Sequence, residues 1–398
     1  MKKLMLLGGL RYLIPVIKEA QSMGIYVITC DYIPENIAHR YSDEYQNVDI
    51  TDREKVLAIA ITSKIDGIMS FAVDPGVLTA AYVAENLGLP TAPLRSVEIL
   101  QNKALFRKFL EENGFNVPLA KSFSNLQSLL KGIDDFKFPV IIKPVDSAGS
   151  KGVKKILKKD EIEDCYKIAN SYSQSNTVIV EEFIEANNFA SDSDCFSLNG
   201  KFQIVSFSNQ YFNSNSENPY TPSAYSWPSV LSDKIKTELK DDLQMLISLL
   251  GIKTSIYNIE VREGKDGKPY IMEVSPRGGG NRLSEMIKHS TGIDLINLSI
   301  RASLGLEIHS PMAINYNDQI VELILYSNAQ GKFNKIEIDP SIEMFLIESD
   351  LWVSSGDQVF PFSSANFAIG TMVFRFETFE QVQNIIQNRD NLVNVLVY

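Results

Sequence analysis

Glu260 and Glu273 are the residues in this chain whose spacing first suggests chemistry. They lie in 257–280, YNIEVREGKDGKPYIMEVSPRGGG, where two runs of alternating residues, 257–263 and 269–275, flank Lys265-Asp266-Gly267-Lys268. Asp-Gly tolerates the positive φ of a tight turn, so the stretch predicts a β-hairpin with Asp266 and Gly267 at its tip. In that register Glu260 faces Glu273 and Asn258 faces Ser275, while Tyr257, Ile259, Val261, Met272 and Val274 take the core face. Two opposed carboxylates have Cβ atoms roughly 4.5–5.5 Å apart and repel. A hard divalent cation such as Mg²⁺, bound through carboxylate, water and phosphate oxygens, turns that repulsion into a site; a solvated strand face is the alternative. The exit, Ser275-Pro276-Arg277-Gly278-Gly279-Gly280, places a guanidinium among glycine N–H groups, which suits an anion.

A second constellation lies upstream. The run 138–143, FPVIIK, reads as a strand ending in Lys143, and Ser147-Ala148-Gly149-Ser150-Lys151-Gly152 follows it. Small residues let amides approach an anion, and Lys143 and Lys151 bracket them with charge. Another strand-like run, 153–157, comes next and not a helix, so this is a flap between antiparallel strands and not a Walker loop; a plain glycine hairpin is the alternative. After a helix over 160–172, the strand 177–181 leads into Glu182-Phe183-Ile184-Glu185, a hinge able to offer backbone groups to an adenine edge. Lys103, on a helix expected over 96–113 with Ser96 as its cap, is by itself an ordinary surface lysine.

These residues need a scaffold, and 398 residues suffice for two or three domains. Residues 1–94 alternate strand and helix as in a Rossmann-like unit. Gly8 and Gly9 lack the dinucleotide fingerprint, so bound NAD is not expected. The segment 209–227, rich in Asn, Ser, Tyr and Pro, reads as an aromatic loop. From about 310 the pattern turns to short strands, including 342–347, and closes with a helix over 378–387.

A formal net charge of -11 and no basic stripe argue against general nucleic-acid binding. Cys30, Cys165 and Cys195 have no paired spacing, and His39, His289 and His309 are scattered, so neither a disulfide framework nor a zinc site is indicated. No cleavage signal follows 1–9 and no apolar run approaches the ~20 residues of a membrane span, so the protein is expected to be cytoplasmic.

A strand lysine ahead of a glycine flap, an acidic hinge, and a hairpin of paired glutamates ending in Ser-Pro-Arg occur here in order. In that combination the chain resembles the ATP-grasp ligases over roughly residues 1–304. The resemblance implies an α/β and α+β architecture: a Rossmann-like pre-grasp domain (1–94), an ATP-grasp domain (95–310) with a flap subdomain at about 115–184, and a small β-rich C-terminal domain (311–398). It implies ATP with Mg²⁺ or Mn²⁺. Lys103 and Lys143 then contact phosphates under the flap Ser147, Ala148, Gly149, Ser150, Lys151 and Gly152. Glu181, Glu182, Phe183 and Ile184 hold adenine, and Asn188 stands at the ribose position, where members tend to have an acid. Glu260 and Glu273 carry metal, Ser275 stands where members often have a third, Asn ligand, and Arg277 faces the transferring phosphate.

The implied reaction is carboxylate–amine ligation through an acyl phosphate. The residues after Ser-Pro-Arg look most similar to amino-acid ligases and carbamoyl-phosphate-synthase-like proteins, so an amino acid or small acid is the expected substrate. The segment 209–227 and the first-domain strand ends are expected to select it. A purine-pathway ligase similar to phosphoribosylglycinamide synthetase is the alternative, with Arg11 and Arg40 as the phosphate-binding candidates. A nucleotide-binding module without turnover is another. Partners are small molecules, with homodimers common among relatives.

Overall fold

β1 (Lys3–Leu7) is apolar from Leu4 onward because both of its faces are covered, as in a parallel sheet. In the computed structural model, which describes residues 1–147, 149, 151–213, 218–310 and 313–398, Leu4 and Leu6 pack with Val16, Ile17 and Ala20 of α1 (Ile14–Ser22). Met5 and Leu7 point the other way, onto α2 (Arg53–Ser63) and α3 (Val77–Leu87). With β2 (Tyr26–Asp31), β3 (Glu44–Asn47) and β4 (Gly67–Ser70) the order is β3-β2-β1-β4, all parallel. Each fully buried leucine in this layer contributes roughly 1.5–3 kcal/mol.

The single helix expected over 96–113 is two: α4 (Leu94–Gln101) and α5 (Lys103–Glu112). Asn102 breaks it by adopting extended φ/ψ and accepting bonds from the N–H groups of Ala104 and Leu105, a cap that outcompetes continuation of the helix. Ser96 is no cap; its Oγ donates to Leu250 O at 2.6 Å.

β5 (Ala120–Phe123), β6 (Val140–Pro144), β7 (Lys154–Ile156) and β8 (Val178–Glu182) form an antiparallel sheet in the order β5-β8-β6-β7. α6 (Leu126–Gly132) and α7 (Ile162–Ser171) close one face over Val140, Ile142, Val178 and Val180. By alternation Lys143 and Glu181 emerge on the opposite face.

Beyond this come β9 (Ser191–Leu198), β10 (Lys201–Val205), β11 (Asn209–Phe212), β12 (Pro222–Trp227), α8 (Asp233–Leu249), β13 (Ser255–Glu263) and β14 (Pro269–Ser275). One sheet has the order β10-β9-β13-β14, with α8 on its core face. Glu260 pairs with Glu273 and Asn258 with Ser275, but not through a two-residue turn. The loop is longer, with Gly264 N–H on Lys268 O and Gly267 N–H on Gly264 O. A bulge between Glu260 and Val261 then shifts the register back by one. The bulge also corrects the core face: Ile271, not Met272, joins Ile259, Val261 and Val274.

α9 (Leu283–Thr291) and α10 (Leu295–Ser303) follow, and Leu295, Ile296 and Ile300 return to the first-domain core beside Leu4. The C-terminal part comprises β15 (Gln319–Leu325), β16 (Gly331–Ile338), α11 (Pro340–Glu343), β17 (Leu346–Leu351), β18 (Gln358–Val359), β19 (Gly370–Phe376), α12 (Phe379–Gln387) and β20 (Val393–Val397). The strand expected over 342–347 begins as α11, where Asp339 caps and Pro340 starts a helical turn. The segment expected as an aromatic loop is largely β11 and β12. It joins the C-terminal strands in the order β11-β12-β15-β19-β17, with Tyr225 and Trp227 fully buried. No helix among the described residues is long and apolar enough to cross a membrane.

Candidate active site

Side chains from two sheets and from α5 meet at the site. From the first, Lys143 leaves the end of β6 and its Nζ lies 2.8 Å from Glu181 Oε2 on β8. Arg107 of α5 reaches the other oxygen at 2.8 Å, and both members of that pair are only 3% exposed. Burial by itself would raise the Glu181 carboxyl; Arg107 and Lys143 override it and hold the group at about 2. Burial pushes the Lys143 ammonium below its usual value, with Glu181 opposing. Glu181, expected at the adenine, has both carboxylate oxygens engaged and braces Lys143.

The hinge beyond it is partly committed. Phe183 N–H donates to Pro139 O at 3.0 Å, and Ile184 O accepts from Arg262 Nη1 at 2.7 Å. Glu182 Oε1 accepts from Lys137 N–H at 3.4 Å. The Ile184 N–H has no partner among the described residues. Lys155 lies over the Phe183 ring at 3.8 Å. Phe183, Asn188, Arg262 and Tyr220 line a cleft of about 710 Å³.

The flap is a hairpin between antiparallel β6 and β7. Gly149 and Gly152 have φ of +69° and +71°, conformations that favour glycine. Ser147 O accepts from Lys103 Nζ at 2.8 Å, Lys151 is exposed, and Ala148 and Ser150 lie outside the described residues. The helix break at Asn102 puts Lys103 in the first turn of α5, where its Nζ is 3.7 Å from Glu273 Oε2.

The second sheet supplies the carboxylates, including two that the sequence analysis missed. Asp192 and Asp194 on β9 stand opposite Glu260 and Asn258 of β13. Asn258 Nδ2 donates to Asp192 Oδ1 at 2.6 Å and Tyr225 OH to Asp192 Oδ2 at 3.1 Å. Burial pushes Glu260 and Asp192 well above the usual carboxylate range, with the charges of Asp192 and Glu273 adding to it at Glu260 and that of Asp194 at Asp192. Burial likewise raises Asp194 to about 6, against its bonds from Ser284 and the Gly279 N–H. The signal was present in Ser191-Asp192-Ser193-Asp194, whose period of two puts both acids on one face. Among the described residues no three His, Cys, Asp or Glu side chains form a metal cage. A pair of opposed carboxylates fits Mg²⁺ nevertheless, because that ion is usually completed by water and phosphate oxygens.

The hairpin exit departs from expectation. Arg277 is buried and committed: Nε and Nη2 donate to Asp74 Oδ1 and Oδ2, both at 2.8 Å, and Nη1 to Asn258 Oδ1 at 3.2 Å and to Gly278 O. Its fork is taken up by these partners, and it ties the turn after β4 to β13. Ser275 is likewise engaged, accepting from Gln101 Nε2 at 2.8 Å and donating to Asp74 Oδ1 at 3.3 Å, which makes it a brace. Of the glycine amides, that of Gly279 is engaged, donating to Asp194 Oδ1 at 2.8 Å. Glycine is required there by contact: a Cβ on Gly278 would lie 2.2 Å from the Phe71 ring, and one on Gly279 2.8 Å from Asp194 Oδ1.

Comparison with known proteins agrees with this geometry. Residues 136–285 match the ATP-grasp domain family. Among curated relatives, a formate-dependent phosphoribosylglycinamide formyltransferase from Nitratiruptor sp. is 27% identical over 308 residues, 76% of each chain. The carbamoyl phosphate synthase large chain of Clostridium beijerinckii is 24% identical over 73% of this chain, which spans only 27% of that protein's length. In fold, the chain is similar to the L-amino acid ligase from Bacillus licheniformis, with TM-score 0.83 at 21% identity over 100% of this chain and 99% of that one. It is also similar to phosphoribosylglycinamide synthetase from Anaerococcus prevotii, with TM-score 0.79 at 20% identity over the whole of both chains. The match over residues 136–285 and these likenesses in fold agree with the expected α/β and α+β architecture, a parallel N-terminal sheet followed by antiparallel sheets.

Proposed function

We propose that the protein is an ATP-dependent ligase that joins an amino acid or related small carboxylic acid to an amine by way of an acyl phosphate. The observation that carries this is Lys103 Nζ lying 3.7 Å from Glu273, which joins the phosphate-binding side of one sheet to the carboxylate pair of the other. Lys103 and Lys143 hold the phosphates under the flap residues 147–152, and the Ile184 N–H meets the adenine edge. Glu260 and Glu273 would hold Mg²⁺ or Mn²⁺, which when bound would supply neutralisation of the charge on the transferred phosphoryl group. The γ-phosphoryl passes to a carboxylate oxygen with ADP leaving; the amine then attacks the acyl carbon, and phosphate leaves as the nitrogen loses a proton. Arg277 acts through Asp74 and Asn258 as a positioning residue.

The relatives named for phosphoribosylglycinamide chemistry make a purine substrate the competing assignment. It requires a cation for a ribose phosphate within residues 1–94, where the candidates are Arg11, stacked over the Trp352 ring at 5.4 Å, and Arg40, which is exposed. Phosphate release from Mg-ATP, measured across the amino acids and against phosphoribosylamine with glycine, separates the two. Amino-acid-dependent release supports the first, and release only with phosphoribosylamine overturns it.

A further inference from the structure

Glu322 on β15 is fully buried, and neither of its carboxylate oxygens has a hydrogen-bond partner among the described residues. A carboxylate in that position is costly unless something compensates it. It shares its strand face with Ile320, Ile324 and Tyr326, which pack with Leu283 and Met286 of α9. The charges acting on it are Arg282, Glu285 and Glu348, and burial pushes it up to about 8.

Arg282 does not satisfy Glu322. Its Nε and Nη2 donate to Glu285 Oε1 at 3.2 and 3.0 Å, its Nη1 to Thr371 Oγ1 at 2.9 Å, and Nη2 also to Glu348. His289 Nε2 lies 3.1 Å from Glu348 Oε2. Arg282 and His289 are thus taken up by Glu285, Glu348 and Thr371, and Glu322 is the one carboxyl of the cluster left without a partner among the described residues. The backbone is held under strain to build it, Asn281 and Arg282 both being left-handed at φ +49° and +56°. Its rim reaches solvent, Glu285 and Glu348 being 23% and 35% exposed.

The cluster also connects to the carboxylates of β9 and β13. Tyr12 OH donates to Asn281 Oδ1 at 3.3 Å, Asn281 Nδ2 to Tyr225 OH at 3.1 Å, and Tyr225 OH to Asp192, which stands opposite Glu260. Tyr225 is the cross-strand neighbour of Glu322. We propose that Glu322 is the specificity-determining anchor for the amine co-substrate, binding its ammonium group between β15, α9 and Tyr12. This rests on the ligase reading given above, and it names a cationic amine as the second substrate class.

The test compares wild type with Glu322→Gln and Glu322→Met, using glycine, L-lysine, putrescine and ammonium chloride as probes. Amine-induced shifts in melting temperature are read without nucleotide, and amine-dependent phosphate release is read with Mg-ATP. At least one amine should act on wild type, and both variants should raise its KM by about tenfold or more, as for loss of a charged contact. Affinity for Mg-ATP should change less than twofold, as ~0.4 kcal/mol or less. Because a buried unpaired carboxylate is removed, neither variant should melt below wild type. Wild-type KM in both variants, or no effect of any probe on wild type, overturns the proposal. Failure of wild type to bind Mg-ATP overturns the ligase reading instead, and the nucleotide-free melting shifts still decide the amine site.

Discussion

Asp74 in the turn after β4 and Arg277 at the exit of β14 are joined at two atoms, each 2.8 Å apart, with Arg277 8% exposed. A buried bidentate pair is weak evidence for net stability, but removing one partner leaves an uncompensated charge. Asp74→Ala is expected to cost about 3–5 kcal/mol in urea unfolding. Asp74→Ala unfolding at the wild-type midpoint would show that the pair braces nothing.

Glu260 and Glu273 repel without a cation. Glu273→Gln is expected to lower Mg-ATP turnover by about 10²–10³ while leaving the melting temperature equal or higher. Wild-type turnover by the purified variant would remove the pair from the mechanism.

Glu181 gives a pH signature. Its folded pKa is about 2, below the ordinary 4.5, so its contribution is fully present above the ordinary value and is lost as pH falls from 4.5 toward 2. The depression corresponds to about 3 kcal/mol. Glu181→Gln should be less stable than wild type at neutral pH, and the gap should close through that acid window. Parallel stability–pH curves for the two proteins would contradict the assignment.

Gly279→Ala puts a Cβ 2.6 Å from Leu283 Cδ1 and 2.8 Å from Asp194 Oδ1. A loss of about 1–3 kcal/mol is expected by thermal unfolding. A neutral result would mean that the turn into α9 is more compliant than its packing indicates.

What could be seen in the residues beforehand was local. The opposition of Glu260 and Glu273, the flap between two strands and the parallel opening domain follow from alternation and turn chemistry, and the structure has each of them. The hairpin register came out correctly for 258–260 only because a longer loop and a bulge offset each other, a compensation that single-strand alternation does not reveal. Asp192 and Asp194 were overlooked because their meaning comes from β13, which pairs with them across more than sixty residues of chain. Glu181, Ser275 and Arg277 have the expected residue types, but their partners Arg107, Gln101 and Asp74 come from other elements, and those partners change what each side chain is free to do. In β11 and β12 the many Ser, Asn and Pro residues concealed strands whose stability comes from burying Tyr225 and Trp227 against the C-terminal sheet.

That shared sheet sets how the molecule can be recombined. β12 hydrogen-bonds to β15, so cutting the chain between residues 304 and 319 would leave β12 as an unpaired edge and uncover Trp227 and Tyr225. A chimaera that grafts a relative's C-terminal segment onto this chain must therefore carry that relative's β11–β12 ribbon with it. Inheritance of the tail and of the wall beside Asp192 is one event, because the two are halves of one sheet.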